Sequence, residues 1–235
     1  VAFGACACFG GIPGLSNTST LDEAIDRAYL HSASTGNPDG TIPMRVTPVD
    51  EGELILPRSW DTVHTLAQVV DVEYLLPGCP PTVNIVEAAV EAISTGSQPP
   101  PGSTIAGDRA LCEECPREKK NEMRVTEFKE PWQVEIDPAQ CLLEQGIVCM
   151  GPATIAGCGA QCPKANMPCR GCFGPPRGVK DQGAAMLGAL ASVLSPPEGR
   201  SLEEAVAQLK DPLGTFYRFS LPDSTLRRSR IAGKE

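Results

Sequence analysis

A chain of 235 residues can hold one large domain or two modest ones and bury a real core. Its formal charge of −9 repels phosphate backbones and argues against a nucleic-acid partner. It contains no run of about 18 or more apolar residues, so no membrane span is expected. Aromatics are only 5%, while Gly and Pro each number 23, which predicts ordered but loop-rich architecture.

In chain order, Val1–Cys6 is small and apolar and runs into Gly10-Gly11-Ile12-Pro13-Gly14, read as a strand and a tight loop. Thr20 and Glu23 have capping-box spacing, so a helix is expected from Leu21 to about Leu30. Residues 31–56 are rich in turn formers and predict a surface excursion. A helix is expected over Trp60–Gln68 with Ser59 as its cap, then a strand over Val70–Leu76. That strand ends at Pro77-Gly78-Cys79-Pro80-Pro81. Thr82 caps the next helix, whose apolar stripe is Val83, Val86, Val90 and Ile93. Strand, turn and helix in this order predict an α/β layer with a parallel sheet.

Residues 94–102 include three consecutive prolines and read as a linker. Beyond them, residues 111–176 carry most of the cysteines and little periodicity. Helices return over Asp181–Leu194 and from Ser201, where Glu204 completes a capping box. The face of the latter is Leu202, Ala205, Val206 and Leu209. Arg227, Arg228 and Arg230, the densest basic group, read as a solvated tail.

Eleven cysteines are present, eight of them between Cys112 and Cys172. Cys158, Cys162, Cys169 and Cys172 lie within 15 residues and can converge on one centre. A cubane of irons and sulfides needs one thiolate for each iron. Gly157, Gly159 and Gly171 permit the close backbone approach such a loop needs. Cys112, Cys115, Cys141 and Cys149 form a second quartet. Cys6 and Cys79, each at an expected strand end, offer half of a third site.

For both quartets the alternatives are structural zinc and, more weakly, disulfides. For Cys6 and Cys79 the alternative is a buried free thiol, which is also the reading of Cys8. His31 and His64 stand apart from the cysteines in sequence and read as structural or surface residues. Nothing resembles a hydrolytic triad or a phosphate-binding glycine loop. No residue reads as an acid, base or nucleophile.

Gly4-Ala5-Cys6-Ala7 and Pro77-Gly78-Cys79-Pro80-Pro81 resemble two signatures of [NiFe] hydrogenase small subunits. The segment from Cys149-Met150-Gly151-Pro152-Ala153-Thr154 through Gly157-Cys158-Gly159-Ala160-Gln161-Cys162-Pro163 to Met167-Pro168-Cys169-Arg170-Gly171-Cys172 is similar to the cytosolic branch. That branch includes the F420-non-reducing and methyl-viologen-reducing enzymes. The likeness runs through Gly214-Thr215-Phe216-Tyr217-Arg218-Phe219.

The resemblance implies three [4Fe–4S] clusters in a full-length subunit. Cys6 and Cys79 would be two ligands of the proximal cluster. Cys158, Cys162, Cys169 and Cys172 would hold the medial one, and Cys112, Cys115, Cys141 and Cys149 the distal one. Membrane-linked relatives have a histidine where Cys112 stands and a three-cysteine medial site. The family's early Cys-x-x-Cys-Glu motif does not precede Cys6, so an N-terminal segment is expected to be lacking and two cluster sites to be complete.

The fold expected is a partial flavodoxin-like parallel sheet over residues 1–100, followed over 101–235 by a cysteine-rich domain of loops and helices. The function implied is electron relay from H2 oxidation at a partner large subunit's Ni–Fe centre, with the reverse direction possible. The electrons would pass to an iron–sulfur or flavin acceptor subunit in the cytoplasm. The rivals are a complex I-type small iron–sulfur subunit, which lacks the eight downstream cysteines, and a zinc-binding interaction module.

Overall fold

The computed structural model describes residues 1–227. Arg228 and Arg230 of the basic tail lie outside the described residues. A three-stranded parallel sheet is formed by β1 (Ala2–Phe3), β4 (Tyr74–Leu76) and β5 (Ser103–Thr104), with β4 in the middle. Ala2 pairs with Leu75, and Leu75 pairs with Thr104. The expected α/β layer with parallel strands is therefore present, although its strands are short. β5 comes after the proline-rich stretch yet joins this sheet.

The expected strand through Cys6 is a correction. Gly4, at φ +85°, turns the chain out of β1, and residues Gly4–Phe9 form α1. The alanines favour this helix, and Gly10 closes it in the left-handed conformation. Cys6 therefore stands on a helix rather than at a strand end.

Helix α2 (Leu21–Tyr29) has the reciprocal Thr20–Glu23 capping box that its sequence predicts. The surface excursion contains a hairpin, β2 (Val46–Val49) against β3 (Gly52–Ile55). The helix over Trp60–Gln68 does not form. Asn17 donates to the carbonyl of Val63 at 3.0 Å and accepts its N–H at 2.7 Å, so that backbone is held by a distant side chain. Only Leu66–Gln68 makes a 3-10 turn.

Helix α3 (Val83–Thr95) forms, but its buried residues are Ile85 and Ala89. Val83, Val90 and Ile93 of the expected stripe face outward. The helix is apolar on two sides, so periodicity alone does not choose. Leu76, Ile155 and Phe173 choose the Ile85 side by packing against it.

The main core lies in the second half, around Leu111, Met150, Met186, Phe216 and Leu221. Here α4 (Gln161–Lys164), α5 (Gln182–Val193), α6 (Leu202–Val206) and α7 (Pro212–Phe216) surround the cysteine loops. Asp181 caps α5, which keeps the expected helix to within one residue at each end, and Ser201 with Glu204 boxes α6 as the sequence predicts. On α6 only Ala205 is buried; Leu202 and Val206 are exposed, correcting the expected face. No helix among the described residues is long and apolar enough to cross a membrane.

Candidate iron–sulfur sites

Residues 149–156 are the spine of the cysteine region. On one side Leu111 N–H donates to Thr154 O at 2.7 Å and Ala156 N–H to Arg109 O at 2.8 Å. On the other, Met150 N–H donates to Cys169 O at 3.0 Å and Ile155 N–H to Gly174 O at 2.9 Å. The loops of both quartets are thus hung by backbone hydrogen bonds on one segment, which makes a 3-10 turn at Gly151–Ala153. Glu118 ties in the Cys141 loop: it donates to Ala139 O at 2.7 Å and accepts from Cys141 N–H at 2.8 Å.

Cys112, Cys115, Cys141 and Cys149 line one hollow together, between apolar walls that include Leu111, Met123, Leu142 and Pro152. Gly151 is part of the cradle. A Cβ there would lie 3.1 Å from Cys112 Sγ and 3.7 Å from Cys149 Sγ. Burial pushes the Cys112 thiol up to about 12, opposed by Lys119 and reinforced by Cys149, Cys141 and Cys115. Cys149 is also pushed up by burial. An all-sulfur donor set in a water-poor, apolar hollow fits an iron–sulfur cluster.

The other quartet is looser. Cys158 precedes α4, Cys162 lies on it, and Cys162 is exposed. Burial pushes Cys172 up to about 11, with the charges of Cys158 and Cys162 adding to the rise and a hydrogen bond from the Cys79 backbone opposing it. Cys169 is buried and raised, chiefly by burial and then by Cys149, with Cys172 also contributing. Its N–H donates to Cys149 Sγ at 3.3 Å. Cys169 therefore touches the neighbouring quartet, and its thiol lies 3.6 Å from Thr154 Oγ1. Gln182 supports this loop by donating to Gly171 O at 3.0 Å and Thr154 Oγ1 at 3.3 Å.

Cys6 and Cys79 are both exposed. Their loops are brought together by Ala5 N–H donating to Gly78 O at 2.6 Å. Gly11 sits against Cys6, where a Cβ would meet Sγ at 2.6 Å. Cys8 is buried, raised to about 12 by burial, and donates to Ala2 O, as a spare structural thiol should. All eleven cysteines are free thiols, so no disulfide staples these loops. Among the described residues, no three His, Cys, Asp or Glu side chains are close enough to hold a metal ion. His31 and His64 are exposed.

Three supporting residues carry no signal in the sequence: Gly151, Glu114 and Arg117. Each looks ordinary in its motif, and each matters only through contacts made across the fold. Glu114 and Arg117 tie the loops of both quartets.

A family model described as "NADH ubiquinone oxidoreductase, 20 Kd subunit" matches residues 1–93. An F420-non-reducing hydrogenase subunit of Methanothermobacter thermautotrophicus is 42% identical, over 94% of this chain and 69% of the relative. The chain belongs to this family of hydrogenase subunits. An F420-non-reducing hydrogenase iron-sulfur subunit of Archaeoglobus profundus is 40% identical, over 97% of this chain and 72% of the relative. A solved chain of an NAD+-reducing [NiFe]-hydrogenase in the H2-reduced state is 28% identical, with a TM-score of 0.32. That alignment covers 41% of this chain and 49% of the other, and no argument about the fold rests on it. Membership in the hydrogenase family makes the chain a subunit of an oxidoreductase with an electron-transfer role, as the sequence resemblance implies.

Proposed function

We propose that the chain relays single electrons along a line of thiolate-held [4Fe–4S] clusters. Cys112, Cys115, Cys141 and Cys149 would hold the distal cluster; Cys158, Cys162, Cys169 and Cys172 would hold the medial one. Cys6 and Cys79 would supply two ligands of a proximal cluster. When bound, each cluster accepts and gives up one electron without large rearrangement. The residues of the chain do the rest. They fix the spacing, exclude water and aim backbone N–H groups at sulfur.

The observation that carries the reading is the shared hollow of Cys112, Cys115, Cys141 and Cys149. Cys149 is also bonded to Cys169 of the next quartet. Two adjacent all-thiol sites in direct hydrogen-bond contact suit electron transfer better than two independent structural ions. On this reading residues 1–100, with β5 (Ser103–Thr104) added to their sheet, are part of a flavodoxin-like unit, and the rest of residues 101–235 form the cluster domain. The partner is a cytoplasmic [NiFe] hydrogenase large subunit, and an iron–sulfur or flavin subunit takes the electrons.

Metal and sulfide analysis of anaerobically purified protein tests this. Substituting Cys115→Ser should remove about four irons and four sulfides, the content of one cubane. Zinc at about two per chain, with no visible absorbance, would support a zinc module instead.

A further inference from the structure

The loop that begins at Cys112 and Cys115 carries two opposite charges three residues apart. Glu114 stands between Cys112 and Cys115 in sequence, yet its carboxylate turns to the other quartet. It accepts the N–H of Gly159 at 2.8 Å and that of Gly157, the residues flanking Cys158. Its charge is among the influences that raise the Cys158 thiol, after burial.

Arg117 is 5% exposed. Its guanidinium donates to Asp137 O at 2.7 Å, Gln140 O at 2.8 Å, Pro163 O at 3.1 Å and the Asn166 side chain. Every one of these partners is neutral, and Arg117 takes part in none of the ion pairs found among the described residues. A guanidinium remains charged in proteins. Burying it among neutral partners is costly unless negative charge lies nearby. Arg117 lines the hollow of Cys112, Cys115, Cys141 and Cys149, where ligating thiolates would supply that charge. Lys119, the other cation there, is exposed and donates to Cys112 O at 2.6 Å.

We propose that Glu114 and Arg117 tilt the two sites in opposite directions. Glu114 disfavours an extra electron at the Cys158 quartet, and Arg117 favours one at the Cys112 quartet. An electron then moves downhill from the first site to the second, with no bond made or broken. The proposal rests on the cluster assignment above. Charge beside a water-poor site acts through a low effective dielectric, and it is one determinant of cluster potential.

The test is an EPR-monitored redox titration of the anaerobic, cluster-loaded holoenzyme. Wild type is compared with Glu114→Gln, Arg117→Gln and Arg117→Lys, and iron and sulfide are measured in each. Signals are assigned by their loss in Cys115→Ser and Cys162→Ser. Glu114→Gln should raise the midpoint of the Cys158 quartet. Arg117→Gln should lower that of the Cys112 quartet by about tenfold in the reduced-to-oxidised ratio, or about 59 mV for one electron. Arg117→Lys keeps the charge and should keep most of the wild-type midpoint.

Midpoints that stay put at full iron content would overturn the proposal. If Arg117→Gln loses its iron, Asn166→Asp decides the matter, because it neutralises the guanidinium in place. Its Cys112-quartet midpoint must fall for the proposal to stand. Iron missing from the wild type would instead overturn the cluster assignment.

Discussion

The backbone N–H of Cys169 donates to Cys149 Sγ across 3.3 Å, a direct contact between the two cysteine quartets. Met150 N–H returns a bond to Cys169 O at 3.0 Å, so the junction is held from both sides. Such a contact orients the Cys149 thiol and pins the backbone at Cys169 beside it.

Cys169→Ser tests this junction in the assembled enzyme. The backbone bonds survive, but one thiolate is lost. H2-dependent dye reduction should fall by about tenfold or more, about 1.4 kcal/mol in barrier. Hydrogen–deuterium exchange at the partner should remain partly intact. Equal loss of both activities would point to failed assembly.

Gly151→Ala tests the cradle. The added methyl would press on Cys112 Sγ at 3.1 Å, and the neighbour must give way. Overpacking of this kind costs about 1–3 kcal/mol. The variant should fold but hold about four fewer irons per chain, one cubane's worth. Full iron content with wild-type absorbance would contradict the crowding argument.

Asp181 gives a pH-dependent prediction. Burial alone would raise its carboxyl. The hydrogen bonds from Ala184 N–H, Thr225 N–H and the Thr225 hydroxyl together outweigh burial and hold it below the ordinary value of 3.8. A depressed carboxyl contributes stability that is present above pH 3.8 and lost as pH falls through its lower native value. Asp181→Asn keeps an oxygen for the Ala184 N–H but loses the acceptor for Thr225, and should cost about 1–3 kcal/mol at neutral pH. It should also flatten the acid limb of a urea-denaturation series. An unchanged acid limb would rule Asp181 out as its source.

Thiol protonation gives another. Burial raises Cys112 to about 12 and Cys172 to about 11, so both are protonated in the metal-free chain. Iron must displace those protons. Reconstitution with iron and sulfide should therefore speed up between about pH 7 and 9. A rate independent of pH would mean that thiol deprotonation does not limit loading.

Local chemistry made much of the fold legible in the sequence. The capping boxes at Thr20–Glu23 and Ser201–Glu204 and the Asp181 cap set helix starts through contacts three residues apart. The failures came from contacts made at a distance. Val63 is held by Asn17 from 46 positions away, so the helix expected there never forms. On α3 the choice of buried face belongs to Ile155 and Phe173, not to the helix's own pattern.

The candidate site divides in the same way. Close spacing suggests a common loop for Cys158, Cys162, Cys169 and Cys172, whereas the hollow shared by Cys112, Cys115, Cys141 and Cys149 joins two pairs far apart in sequence. The contributions of Gly151, Glu114 and Arg117 arise only when separate loops meet. Nothing in Cys112-Glu113-Glu114-Cys115-Pro116-Arg117 says that one charge turns toward Cys158 and the other is buried beside Cys141.

The most direct measurement is iron and acid-labile sulfide, with Mössbauer spectra, on anaerobically prepared chain of residues 1–235. The eight thiols from Cys112 to Cys172 predict about eight irons and eight sulfides in two cubanes. A brown protein with paired-valence cubane spectra is the expected result. A colourless, well-folded protein that holds zinc or no metal at all would contradict the account.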